Sequence, residues 1–287
     1  MTGTKIDGLE VAQAVKERVK KAVEELKAQG INPCLATVLV GDNQASTTYV
    51  KNKQKACAEV GIATKDHHPP VSISQKEIND LIDSLNNDRS VHGILVQLPL
   101  PDQINEFEAI SRISPIKDVD GLTPYNAGLL AMGKAALKAC TPSGIMELFD
   151  YYKIELAGKN VVMINRSNLI GKPLYHLLLE KNATVTTCHS KTKNLAEFTK
   201  LADIIITAVG DRTKFTLKQD MIKNDAVVID VAITRHDGKL AGDCDYEDII
   251  KKASFATPVP GGVGPMTVAM LLKNTVTAAS LSKGLGK

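Results

Sequence analysis

Tyr49 and Lys53 stand four residues apart in a segment of helical character, so their side chains share one helix face. Lys51 and Lys55 lie on the same helix, and an average lysine there belongs to a solvated face. Lys53 is set apart by its company. Gln97 ends the apolar run GILVQL at 93–98, and parallel sheets place their sites at strand ends of that kind. Asp118 and Asp120 sit in Lys117-Asp118-Val119-Asp120-Gly121, just before another helix. A partly buried lysine beside an amide and a carboxylate can have its proton affinity tuned for proton transfer. Tyr49 adds a flat face for an aromatic substrate.

A second cluster follows the apolar strand NVVMI at 160–164: Asn165-Arg166-Ser167-Asn168-Leu169-Ile170-Gly171-Lys172-Pro173. A strand-to-helix turn with free N–H groups at the helix N-terminus binds a pyrophosphate. Pro173 suits a first helical turn. The loop is not G-x-G-x-x-G; Asn165 takes the first position, as a residue that tolerates positive φ. At the end of the next strand an NAD site usually has an acid for the ribose 2′-hydroxyl. Here the stretch reads Cys188-His189-Ser190-Lys191-Thr192-Lys193, without one. Arg166, Ser167, Ser190 and Lys191 offer donors and positive charge instead, which suits the 2′-phosphate of NADP.

Other chemistries find no support. His67, His68, His92, His176 and His236 form no constellation and read as surface or structural, and His189 lies near the cofactor loop without a chemical role. No G-x-S-x-G, P-loop or HExxH occurs. The five cysteines are scattered and form no CxxC pair, as expected of reduced, buried thiols rather than a zinc site. No metal is expected.

Two sets of elements must hold these clusters. Residues 9–29 carry helical spacing up to Gly30, and CLATVLVG at 34–41 is a strand-length apolar run. Ser46 is a candidate cap for the helix that bears Tyr49 and Lys53, with Gly61 as its stop. Ser74 and Glu77 form a capping box. From about Cys140 the pattern starts again, with strands at 160–164, 184–188, 202–209, 226–233 and 254–257, close to a doubly wound dinucleotide fold. Asp237-Gly238 reads as a tight turn, and 265–281 as a long apolar helix that returns to the first domain.

Composition sets outer limits. The chain has 287 residues, 44% hydrophobic and 23% charged, so a disordered chain and a small disulfide scaffold are excluded. A net charge of +3, no Trp and 4% aromatics give no nucleic-acid platform. The N-terminus has no apolar core and no run approaches a membrane span, so a cytoplasmic protein is expected.

Along nearly its whole length the sequence resembles the bifunctional methylenetetrahydrofolate dehydrogenase/methenyltetrahydrofolate cyclohydrolase family, FolD. The stretches that carry the resemblance are STTYVKNK (46–53), GILVQLPLP (93–101), KDVDG (117–121), CTPSG (140–144), Arg166-Ser167 with Gly171-Lys172-Pro173, and TPVPGGVGPMT (257–267). The resemblance implies oxidation of 5,10-methylenetetrahydrofolate with NADP, then hydrolysis of the 5,10-methenyl cation to 10-formyltetrahydrofolate. It implies Lys53 for proton transfer with Gln97 setting its state, Tyr49 on the aminobenzoyl ring, and Asp120 on the pterin amino edge. Gly262 and Pro265 would shape the folate wall. Thr141, Asn165, Arg166, Ser167, Gly171 and Ser190 would hold the cofactor, with Ile233 on the nicotinamide side.

The fold implied is α/β, two domains around a cleft. Residues 1–139 with 265–287 would form a folate-binding catalytic domain with a mainly parallel sheet, and 140–264 a Rossmann-like NADP domain. A homodimer through the cofactor domains is implied too. Asn165 and Ala232 stand where the family usually has glycine, and Thr234 where it has asparagine. A single-activity relative, a shikimate-dehydrogenase-like enzyme and an idle nucleotide-binding protein are the alternatives.

Overall fold

The structure is a computed structural model and describes residues 2–236 and 238–283. The chain begins with β1 (Thr4–Lys5), α1 (Gly8–Ala28), β2 (Cys34–Val38), α2 (Gln44–Val60) and β3 (Ala63–His67). Then come α3 (Gln75–Asn87), β4 (Gly93–Val96), α4 (Glu106–Ser111), α5 (Pro124–Ala131) and α6 (Cys140–Tyr151). The next elements are β5 (Asn160–Ile164), α7 (Gly171–Glu180), β6 (Thr184–Cys188), α8 (Leu195–Thr199), β7 (Ile204–Thr207) and β8 (Val227–Asp230). The last are β9 (Thr234–His236), β10 (Lys239–Ala241), α9 (Tyr246–Ile249), β11 (Phe255–Ala256) and α10 (Val263–Ser282). The chain divides into two compact units: Ala14–Cys140 with Val268–Lys287, and Met1–Gln13 with Thr141–Thr267.

In the first unit a three-stranded sheet has the order β3-β2-β4, with both pairings parallel. Every residue of β2 and β4 is buried, which is why they read as unbroken apolar runs. The edge strand β3, Ala-Thr-Lys-Asp-His, has no such pattern and escapes a sequence reading; pairing with β2 makes it a strand. Ile78, Ile82 and Leu85 of α3 pack on Ala36, Val38 and Ile94 of the sheet. The capping box of α3 is present, whereas α2 is capped by Asn43, whose side chain accepts from the amide of Ser46. Ser46 is therefore inside the helix, three residues past its cap. Gly61 ends α2 at a φ of 81°, a left-handed position that suits glycine.

Two charged groups of 117–121 serve this scaffold. Lys117 Nζ donates to the carbonyls of Leu85, Asn86 and Asp88 at 2.8–3.0 Å and so closes the end of α3. Burial pulls its proton affinity down. The carboxylate of Asp118 accepts from the amides of Leu122 and Thr123 and from Asn126 Nδ2, which shapes the entry to α5. Asn274 of α10 donates to the carbonyls of Val119 and Lys138, both at 2.8 Å.

The second unit holds a six-stranded sheet in the order β1-β11-β8-β7-β5-β6, parallel throughout. Five of its strands fall within the strands read from the sequence. The sixth, β1, comes from the N-terminus and pairs Thr4 with Phe255 and Lys5 with Ala256. Two exposed residues leave no periodic trace. Strand order reverses at β5, flanked by β6 and β7, as in doubly wound folds. β9 and β10 form an antiparallel hairpin. Of its expected turn, Gly238 has a φ of 75° and Asp237 lies outside the described residues.

All five cysteines are buried and free. Among the described residues no helix is long and apolar enough to cross a membrane.

Candidate active site

Gln97 follows β4 at the C-terminal edge of the three-stranded sheet, and its amide is bonded to the carbonyl of Val38. Its side-chain Nε2 donates to the carbonyl of Leu98 at 2.8 Å. That bond fixes which end of the carboxamide faces outward: Oε1 is left to accept from Lys53 Nζ at 3.0 Å. Lys53 is only 8% exposed. Asp120 lies within electrostatic reach of Lys53. Burial pushes the Asp120 carboxyl up, and the Lys53 charge opposes that rise. The Cys140 thiol, raised well above its usual range by burial and by Asp120, donates to the carbonyl of Val119 at 3.2 Å. Tyr49, one helical turn before Lys53, keeps 47% of its surface exposed, so its ring is free of the core. The sequence-selected residues Tyr49, Lys53, Gln97 and Asp120 therefore belong to one unit. An amine held by one neutral acceptor, beside a carboxyl, can take up and release protons at Nζ.

The second cluster lies at the C-terminal end of β5 in the other unit. Asn165 departs from the expectation placed on it. Lys153, Asn182, Asn194 and Asp225 are the non-glycine residues with positive φ among those described, and Asn165 is not one of them. Its side chain does the work instead. Oδ1 accepts from the amides of Ser167 at 2.8 Å and Gly171 at 3.0 Å, and Nδ2 donates to the carbonyl of Ala208 at 2.7 Å. Two amides that the sequence suggested for a phosphate are thus taken up within the loop. The Ser167 hydroxyl oxygen accepts from the Ile170 amide, which leaves its own proton to donate elsewhere. Arg166 is exposed. A Cβ on Gly171 would come within 2.6 Å of the Asn165 carbonyl oxygen, so only glycine lets α7 start this close to the loop.

The remaining candidates fall in the same unit as Asn165. Ser190 is exposed just past β6, in a turn where the Thr192 hydroxyl oxygen accepts from the amide of His189. Ile233, after β8, is 40% exposed. Thr141 is bonded to Thr267 through their hydroxyls at 2.8 Å. Gly262 is buried, with the Pro258 carbonyl oxygen 2.5 Å from where a Cβ would sit, and Pro265 lies in the first turn of α10.

Asp243, which the sequence did not single out, is fully buried after the β9–β10 hairpin. It accepts three hydrogen bonds from the end of β7 and the loop beyond it. Asp230, at the end of β8, is 3% exposed and accepts from the amides of Ala232, Asp243 and Cys244. Burial pushes its carboxyl up to about 6, against the pull of those amides. Asp230 lies within the apolar run AVVIDVAI, whereas Asp243 follows Lys239-Leu240-Ala241-Gly242, which is no such run. Among the described residues, no three His, Cys, Asp or Glu side chains group as a metal site would.

Comparison with known proteins matches both units to one family. The family model for the tetrahydrofolate dehydrogenase/cyclohydrolase catalytic domain matches residues 6–120, and that for the NAD(P)-binding domain matches residues 139–283. The chain is 75% identical over 287 residues to the bifunctional protein FolD of Nitrosopumilus maritimus, covering 100% of both chains. The crystal structure of the bifunctional FolD enzyme from Campylobacter jejuni superimposes with a TM-score of 0.94 at 48% identity, over 97% of this chain and 99% of that one. The FolD of Trypanosoma brucei, solved with NADP and an inhibitor, gives a TM-score of 0.93 at 36% identity over 100% of both chains.

Proposed function

The chain belongs to the tetrahydrofolate dehydrogenase/cyclohydrolase family, and from that premise we propose a mechanism for each half-reaction. The enzyme oxidises 5,10-methylenetetrahydrofolate to the 5,10-methenyl cation with NADP and hydrolyses the cation to 10-formyltetrahydrofolate. It thus works in one-carbon metabolism.

NADP supplies the hydride acceptor when bound. The residues present fit it: Ser190 and Lys191 follow β6 without an acid that would repel a 2′-phosphate, and Arg166 is exposed beside them in the sheet order. Arg166 and the hydroxyls of Ser167 and Ser190 are the proposed phosphate donors. Asn165 and Gly171 shape their loop, with Thr141 and Ile233 as further cofactor contacts. The methenyl carbon is cationic and already electrophilic, so hydrolysis needs proton transfer more than polarisation. In its neutral form Lys53 Nζ takes a proton from the attacking water, and the ammonium so formed gives one to the departing ring nitrogen. Gln97 keeps Nζ in place during both transfers, because its own carboxamide is anchored on Leu98. Tyr49 stacks on the aminobenzoyl ring, and Asp120 accepts from the pterin amino edge. Gly262 and Pro265 complete the proposed folate contacts.

The buried hydrogen bond from Lys53 to Gln97 carries this reading of the chemistry. Both half-reactions are to be assayed on one preparation: methenyl chromophore formation with NADP and with NAD, then its decay by hydrolysis. The expected result is both activities and a preference for NADP; no cofactor-dependent chromophore would overturn the reading. The proposal extends to a cytoplasmic homodimer supplying formyl groups to purine, methionine and histidine biosynthesis. A single protomer mass by sedimentation would remove the dimer.

A further inference from the structure

Ligands of doubly wound sheets lie outside the carboxyl ends of the strands, where the strand order reverses. In this sheet the reversal is at β5, so the loops after β5 and β7 border that place. The loop after β7 is held unusually completely. Asp243 Oδ2 accepts from the Thr207 hydroxyl at 2.7 Å and the Val209 amide at 2.6 Å, and Oδ1 from the Gly210 amide at 3.0 Å. The remaining residue, Ala208, is held from the other side, its carbonyl accepting from Asn165 Nδ2. Val209 and Gly210 are surface residues, yet their amides turn inward to a carboxylate with no exposure. A charged acceptor drawing three donors inward sets a loop more firmly than neutral bonds do.

The same carboxylate is placed from behind. Asp230 Oδ1 accepts from the Asp243 amide at 3.1 Å and Oδ2 from the Cys244 amide at 2.7 Å. Gly242 lies so close that a Cβ there would come within 2.1 Å of Asp230 Oδ2. A continuous run of hydrogen bonds therefore joins Asp230, Asp243, the β7 loop, Asn165 and the amides of Ser167 and Gly171.

We propose that Asp243 is a positioning residue for the dinucleotide site, fixing the β7 loop and, through Ala208 and Asn165, the loop that carries Arg166 and Ser167. The proposal rests on the NADP reading of that edge. It assigns Asp243 no contact with the cofactor and no part in hydrolysis, whose proposed proton-transfer pair, Lys53 and Gln97, belongs to the other unit.

The two activities of the enzyme supply the control. In Asp243→Asn one acceptor oxygen becomes a donor facing an N–H. The KM for NADP rises at least tenfold, kcat at saturating NADP changes less than threefold, and methenyltetrahydrofolate hydrolysis stays within twofold. Thr207→Val, which removes one of the three bonds with little change of shape, gives the same pattern at two- to fivefold and serves if Asp243→Asn does not fold. The side chains of Asp243 and Asn165 act through one loop, so the NADP effects of Asp243→Asn and Asn165→Ala combine to less than their product. An unchanged KM for NADP in the folded variants, a parallel loss of both activities, or full multiplicativity overturns the proposal. If the unmutated enzyme forms no methenyl chromophore with NADP, the underlying reading fails instead, and the proposal with it.

Discussion

Lys53 and Gln97 meet through a single hydrogen bond of 3.0 Å at the edge of the three-stranded sheet, whereas Asp243 collects three donors at the edge of the six-stranded one. Both are buried titratable groups, but their surroundings differ. Lys53 has one hydrogen bond among the described residues, to Gln97, which suits the proton exchange proposed for it. Asp243 gives its acceptors to the Thr207 hydroxyl and the amides of Val209 and Gly210, which suits the positioning proposed for it. Asp118 repeats the second pattern inside the first unit, close in sequence to Asp120. The lesson is that a buried ionised group is a reagent where its bonds are few and a brace where they are saturated.

The contrast can be broken most sharply at Lys53. Lys53→Met should lower hydrolysis by about a hundredfold to ten-thousandfold, the range of a lost general acid–base, with the melting temperature nearly unchanged. A stable variant that hydrolyses at the original rate would sink the role. Arg166→Ala comes next. Losing a charged donor costs about 1.5–3 kcal/mol, so the KM for NADP should rise roughly ten- to a hundredfold while that for NAD moves little. Equal rises for both cofactors would place Arg166 away from the 2′-phosphate. Gly242→Ala tests the brace by steric force: overpacking against Asp230 should cost about 1–3 kcal/mol of stability, read as a lower melting temperature.

The smallest effect is a pH slope. Asp230 holds its proton more tightly in the fold than in the unfolded chain, with its carboxyl pushed up to about 6 from 3.8. Its contribution to stability is therefore complete below about 3.8 and is lost as the pH rises through about 6. The difference in melting temperature between the unmutated protein and Asp230→Asn should shrink between those limits. A difference constant with pH would mean that burial does not perturb this carboxyl.

Much of the candidate cluster is legible because its signals are short. Tyr49 and Lys53 are linked by helix period, and Gln97 by the end of an apolar run. Apolar periodicity gave the buried strands β2, β4, β5, β7 and β8, and Gly61 marked the end of α2. Edge elements were not legible. β3 and β1 carry polar or exposed residues, and they become strands only because a neighbour offers a ladder. Asn165 was visible as a residue but misjudged in purpose, since a backbone tolerance and a side-chain bond look the same in one dimension.

By itself, then, the sequence determined the α/β alternation and the two-unit plan, and it named the residues proposed for chemistry, because these follow from local burial and from helix and strand periods. The tertiary structure alone decided which polar groups are free and which are spent. Asp243 reaches Thr207 across 36 residues and Asn165 reaches Ala208 across 43, and no local pattern records a hydrogen bond closed over such a distance. Burial makes those bonds obligatory, since an unpaired carboxylate in the interior would cost more than the loop it orders.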